Sequence, residues 1–139
     1  MGKTKILVDT NICLDAILGR KPFATSALKL MEHAENDKFT GFIAAHTFDT
    51  LFFILNKKIG KDRSYEALST LRKAYRVTPI SQDTIDKAIR LNWDDFEDAI
   101  HYQAALEAGC QTIITRNSRD FDQSNIPAMS TSEFLGQTE

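Results

Sequence analysis

Residues 5–19 read KILVDTNICLDAILG, and the reading of this stretch decides the fold. Lys5 to Val8 form a short apolar run with no polar alternation, the pattern of a strand buried on both faces. Asp9 ends the run. Residues 10–18 then bring Thr10 as a cap and apolar side chains at helical spacing, and Gly19 closes the helix. A buried strand passing into a helix through one acid is the opening of a parallel α/β unit.

The same alternation continues outward. Residues 20–23, with Pro22, read as a loop. Residues 24–36 set Ala27, Leu30, Met31 and Ala34 on one helical face. Residues 41–45 read as a second strand. Residues 47–58 carry Phe48, Leu51, Phe52 and Leu55 at helical spacing and stop at Gly60. Asp62 is expected to cap a helix to residue 74, through Tyr65, Leu68 and Leu71. Residues 75–80 read as a strand. Ser81 caps a helix through Ile85, Ala88 and Ile89. Asp94 or Asp95 caps the next, which runs to Gly109 with Phe96, Ala99 and Ile100 as expected core. Residues 111–115 and 126–129 read as strands, and 131–135 as a final helical turn. The expected fold is a three-layer α/β/α sandwich on a mostly parallel sheet. With no repeats and no linker, residues 1–139 read as a single domain.

Composition agrees with one buried core, since 42% of 139 residues are apolar. Apolar runs such as 51–55 are too short to span a bilayer. The N-terminus lacks the hydrophobic region of a signal peptide. No membrane association and a cytoplasmic location are therefore expected. Cys13 and Cys110 match neither a zinc nor a CxxC pattern and read as small buried hydrophobes.

The net charge of −2 argues against a general nucleic-acid coat, but its distribution is uneven. Residues 57–76 hold seven basic side chains (Lys57, Lys58, Lys61, Arg63, Arg72, Lys73, Arg76) against Asp62 and Glu66. Residues 83–98 hold six acids, four of them Asp94, Asp95, Glu97 and Asp98. Such a pairing suits an enzyme that grips phosphates and holds a metal. Both stretches also read as solvated helix faces, and for the basic stretch alone that reading weighs about the same.

In parallel sheets, ligands bind beyond the carboxyl ends of the strands. That rule selects Asp9 and Asn11 after the first strand, and Thr115, Arg116, Asn117 and Asp120 after the strand at 111–115. It also selects Asp94 to Asp98, which open the helix leading into that strand. Asp9 and Asp120 would also serve as ordinary caps, and Asp94 and Asp95 would complement a helix dipole. Asp98 lies deeper, among like charges that a divalent cation would relieve. Arg116 and Arg119 suit either phosphate binding or pairing with the acids. Hard cations take several oxygen ligands and assist phosphodiester hydrolysis. His33 reads as a surface residue, and His46 lies near a strand end. His101, three residues past Asp98, shares its face and reads as a satisfied helix histidine or as a group tuning the site.

Three segments together, Val8-Asp9-Thr10-Asn11, Phe96-Glu97-Asp98-Ala99 and Thr115-Arg116-Asn117-Ser118-Arg119-Asp120-Phe121, resemble the PIN-domain family of metal-dependent ribonucleases, which includes VapC-like toxins. The resemblance covers nearly the whole chain and implies an RNA endonuclease using Mg²⁺ or Mn²⁺. It also implies a type II toxin with a cognate antitoxin as partner and RNA as substrate. By resemblance Asp9 and Asp98 are metal-binding acids. Asp120 is favoured as the last acid, with Asn117 as a neutral ligand. Asn11, Thr115, Asp95, Thr50 and Asp49 are expected as supporting residues, and Lys57, Lys58, Arg116 and Arg119 are expected to contact RNA.

One position departs from the family. Where a glutamate is usual, within 44–53, this chain has Thr50, preceded by Asp49. Adjacent helical residues point about 100° apart, which turns Asp49 away from the direction of Thr50. The departure bears on catalytic strength and leaves open a weakly catalytic module that binds RNA or protein. A phosphatase or receiver domain fits less well, because Asn11 stands where a phosphatase needs its second acid. The wide apolar wrap of Phe48, Leu51, Phe52 and Phe53 suits either a homodimer interface or burial between layers.

Overall fold

The computed structural model describes residues 2–138. Five strands, β1 (Lys5–Val8), β2 (Thr40–Ala44), β3 (Arg76–Thr78), β4 (Thr112–Ile114) and β5 (Ala128–Met129), form one sheet in the order β3-β2-β1-β4-β5. Every pairing is parallel. The expected mostly parallel sheet is thus wholly parallel among the described residues.

The helices are α1 (Thr10–Leu18), α2 (Ala24–Glu35), α3 (Ala45–Ile59), α4 (Lys61–Ala74), α5 (Gln82–Leu91), α6 (Phe96–Ala108) and α7 (Thr131–Thr138). Pleating sends alternate strand residues to opposite faces. Ile6, Val8, Ile43 and Ile114 pack with Cys13, Leu30, Leu51, Leu71 and Phe134 from α1, α2, α3, α4 and α7. Leu7, Ala44 and Ile113 pack on the other side with Tyr102, Ala104 and Ala105 of α6. The result is the three-layer sandwich, with a core on each side of the sheet. Among the described residues, no helix is long and apolar enough to cross a membrane.

Several local expectations are corrected. Asp62 lies in the first turn of α4 but does not cap it; Gly60 holds the cap position without a side-chain bond. The third strand covers only Arg76–Thr78 of the 75–80 stretch, and the last only Ala128–Met129. Phe96 is 46% exposed at the start of α6, whereas Ala99 and Ile100 are buried as expected. His33 is buried rather than superficial, on the face of α2 that also buries Leu30 and Ala34. Both cysteines are free and buried. Of the apolar wrap on α3, Leu51 is fully buried while Phe53 is 62% exposed.

Gly41 marks a close approach. A Cβ there would lie 2.5 and 2.8 Å from ring atoms of Tyr75, which is itself buried beside β3.

Candidate metal centre and its cleft

The strand order reverses direction at β1, because β2 and β4 both flank it. At such a switch point the connections leave on opposite sides and open a crevice at the carboxyl ends. Asp9 and Thr115 are the first residues past β1 and β4. They lie side by side because the Asp9 amide still donates to the Ile114 carbonyl at 2.9 Å.

Asp9, and not Thr10 as expected, caps α1: Thr10 is the first helical residue, and Asp9 Oδ1 accepts from its amide at 2.8 Å. Its Oδ2 accepts from Thr115 Oγ1 at 2.9 Å. The same hydroxyl oxygen accepts from the Asn117 amide at 3.2 Å, so Thr115 ties the two chain segments together. Asp95 caps α6 by accepting from the Asp98 amide at 3.1 Å. The cap that the sequence suggested for Asp95 therefore also orients Asp98.

These segments enclose a cleft of ≈ 320 Å³ lined by Asp9, Asn11, Thr50, Asp95, Glu97, Asp98, Thr115, Arg116, Asn117 and Asp120 among others. An adjoining depression is lined by Asp94, Asp95, Asp98, Arg119 and Asp120. The stacked Trp93 and Tyr102 rings, 5.0 Å apart, and buried Phe121 hold the turn that carries Asp120. The electrostatics concentrate on Asp98, which is 7% exposed. Burial, then the charges of Asp95, Asp9, Asp120 and Glu97, push its carboxyl up to about 7. Its Oδ2 is buried without a hydrogen-bond partner. A buried, unpartnered carboxylate oxygen facing other acids is what a divalent cation would satisfy, so these residues fit such an ion.

Arg116 also reaches behind the cleft. Its Nε lies 3.4 Å from Oδ2 of Asp15, which is wholly buried, and its guanidinium sits over the Phe23 ring. Arg20 approaches the same carboxylate at 3.8 Å and bonds Asn11 Oδ1 at 3.3 Å. Burial raises the Asp15 carboxyl, and the two arginines oppose that rise. Asp15 went unnoticed in the sequence because it stands in a helical apolar pattern with no motif around it.

Not every expected residue reaches the cleft. Asp49 is exposed on α3 and is absent from the lining, whereas Thr50 faces in. Lys57 and Lys58 lie in the last turn of α3, with Lys57 Nζ over the Phe53 ring, and neither lines the cleft. Arg72, Lys73 and Arg76 gather near the amino ends of β2 and β3, with Lys3 and Thr40. Much of the basic stretch is thus a surface remote from the acids.

Two readings are open for His101, a satisfied helix histidine or a group tuning the site, and its surroundings bear on both. His101 is fully buried, its Nε2 3.0 Å from Thr47 Oγ1 and its Nδ1 3.6 Å from Asp9 Oδ1. The His46 ring lies 4.7 Å from it. Burial, then the neighbouring His101, lower the His46 pKa to about 4, so His46 is neutral near pH 7. The three-residue spacing from Asp98 signalled His101; its contact with Asp9 came only with the fold.

The family model for the PIN domain matches residues 5–119. Ribonuclease VapC1 of Aquifex aeolicus (strain VF5) is 24% identical over 139 residues, spanning 96% of this chain and 95% of that protein. A toxin–antitoxin complex from Klebsiella pneumoniae contains a chain 27% identical, with a TM-score of 0.68 over 91% of this chain and 97% of that one. The DNA-bound VapBC of Salmonella typhimurium superposes with a TM-score of 0.70 at 18% identity, over 92% of this chain and 98% of that one.

Proposed function

The chain belongs to the PIN-domain family, and on that premise we propose that it is a metal-dependent RNA endonuclease, the toxin of a type II toxin–antitoxin pair. The observation that carries the reading is a cleft lined by Asp9, Asp98 and exposed Asp120, with Asp98 Oδ2 buried and unpartnered. The resemblance to Ribonuclease VapC1 along both chains supports RNA as the substrate. The likeness to a chain of a toxin–antitoxin complex supports an antitoxin partner.

In this reading Asp9, Asp98 and Asp120 hold Mg²⁺ or Mn²⁺, with Asn117 as a neutral ligand. Held there, such an ion would supply polarisation of the phosphoryl group, a lowered pKa of water and stabilisation of the leaving oxygen. The side chains supply orientation. Thr115 and the Thr10 amide hold the two oxygens of Asp9 in fixed directions. Asp95 fixes the first turn on which Asp98 stands. Arg116, braced by Asp15 and Phe23, presents positive charge at the cleft wall, and Arg119 does so in the adjoining depression. Both suit a phosphate backbone crossing the acids.

Exposed Phe53 and Tyr65, with Phe52 against Tyr65, favour a homodimer formed through α3 and α4. Thr50 in the cleft favours one second reading, a module that binds RNA or protein and cuts weakly, because no carboxylate is offered there.

The test incubates the protein and an identically purified Asp98→Asn variant with structured and single-stranded RNA, in Mg²⁺, Mn²⁺ or EDTA. Cleavage that requires the metal and disappears in the variant is expected. Equal cleavage by the variant would locate the activity elsewhere. Silence of the folded wild type on every substrate would favour the binding module.

A further inference from the structure

Several buried polar atoms around Asp9 lack partners, among them Thr10 Oγ1 and both ring nitrogens of His46, and two of them belong to residues whose donor atoms converge with those of Asp9. One is Asp98 Oδ2; the other is His101 Nδ1. His101 stands on α6 one turn beyond Asp98 and is 0% exposed, so bulk solvent does not reach it. Its Nε2, 3.0 Å from Thr47 Oγ1, is accounted for. In the tautomer that donates Nε2–H to that hydroxyl, Nδ1 directs a lone pair toward Asp9, and a bound cation would select that tautomer over the one that points Nδ1–H at the carboxylate. The 3.6 Å from Nδ1 to Asp9 Oδ1 is too long for a hydrogen bond. It is compatible with two bonds of about 2.0–2.2 Å to one shared ion. One donor atom from each of Asp9, Asp98 and His101 falls within 4.8 Å of the others. The His46 ring packed against His101 leaves the imidazole little freedom to turn away.

Position 50 supplies the complementary fact. Thr50 lines the cleft, but its hydroxyl donates back to the His46 carbonyl at 3.5 Å. It offers no carboxylate to an ion.

We propose that this chain completes its metal site with nitrogen: His101 Nδ1 joins Asp9 and Asp98 as a ligand, compensating for the missing acid at position 50. The inference rests on the metal-dependent reading above and specifies the ion class. A mixed nitrogen and oxygen set favours a first-row transition ion over Mg²⁺, which prefers oxygen donors alone. The Thr47 hydroxyl then acts as the outer partner that sets the imidazole tautomer.

The experiment loads the metal-free full chain with Mn²⁺ and records pulsed electron paramagnetic resonance, alongside Mn²⁺ and Mg²⁺ titrations by calorimetry. The wild type should show the hyperfine coupling of a directly bonded ¹⁴N. His101→Gln should lose that coupling and about tenfold or more in Mn²⁺ affinity, with a smaller loss for Mg²⁺. Should His101→Gln fold poorly, His46→Gln serves in its place: coupling that survives it assigns the nitrogen to His101, and coupling that vanishes with it overturns the assignment. Mn²⁺ binding that Asp98→Asn abolishes, without nitrogen coupling in the wild type, would overturn histidine ligation and leave a carboxylate metal site standing. Mn²⁺ affinity unchanged by Asp98→Asn would overturn both this inference and the metal-dependent reading.

Discussion

Replacing Asp98 by asparagine should stabilise the metal-free protein while removing its response to divalent ions. The carboxyl of Asp98 is raised from 3.8 to about 7, chiefly by burial and then by Asp95 and Asp9. Between those values the folded chain keeps a proton that the unfolded chain has released. Stability from this group is therefore present at low pH and lost as pH rises through about 7. At about 1.36 kcal/mol per pKa unit, the full shift sets a ceiling of about 4 kcal/mol at pH 8, and partial relaxation brings the expected gain to about 2 kcal/mol. His46 acts with the opposite sign. Its folded pKa of about 4 lies below the ordinary 6.5, so stability falls as pH drops through that window. The two slopes offset one another in the wild type. Asp98→Asn removes one and should uncover the other. Chemical denaturation in EDTA at pH 4.5, 6 and 8 is the assay. The wild type should vary little with pH, whereas the variant should gain stability steadily from acid to base and exceed the wild type at pH 8. Saturating Mn²⁺ should then raise the wild type only, through ligand linkage. A variant no more stable than the wild type at pH 8, or equally stabilised by Mn²⁺, would refute the account of Asp98 as a strained, ion-satisfied carboxylate.

Other outcomes follow from single contacts. Thr115→Val removes the bond to Asp9 Oδ2 and the acceptor of the Asn117 amide, and should slow RNA cleavage about tenfold with little loss of folding; single-turnover rates against a melting curve check it. Thr50→Glu places a carboxylate in the cleft and should tighten Mg²⁺ binding severalfold, read by calorimetry. Gly41→Ala drives a methyl into the Tyr75 ring and should cost about 1–3 kcal/mol in urea denaturation, far from the acids. Asp15→Asn weakens the brace behind Arg116 and should raise KM for RNA more than it lowers kcat.

Much of this molecule could be read before folding. Residues 5–19 contain a buried strand, an acid and a helix, and the structure has β1, the Asp9 cap and α1 there. Short-range physics decides these features: apolar runs, caps and helical spacing act over a few residues. The placement of Asp9, Asp98 and Asp120 at strand ends and helix starts was legible for the same reason. Which groups meet was decided only by the tertiary structure. His101 touches Asp9 because parallel pairing of β1 and β2 and the packing of α6 bring together residues 92 positions apart. Asp49 and Thr50 differ by one position, yet the register of α3 turns only Thr50 into the cleft. Lys57 and Lys58 carry the right charge but lie outside it. Asp15 is one polar residue in an apolar helix, and only the fold sets two arginines against it. Charge and residue type are local properties, whereas burial, partnership and the pKa that follows belong to the packed whole.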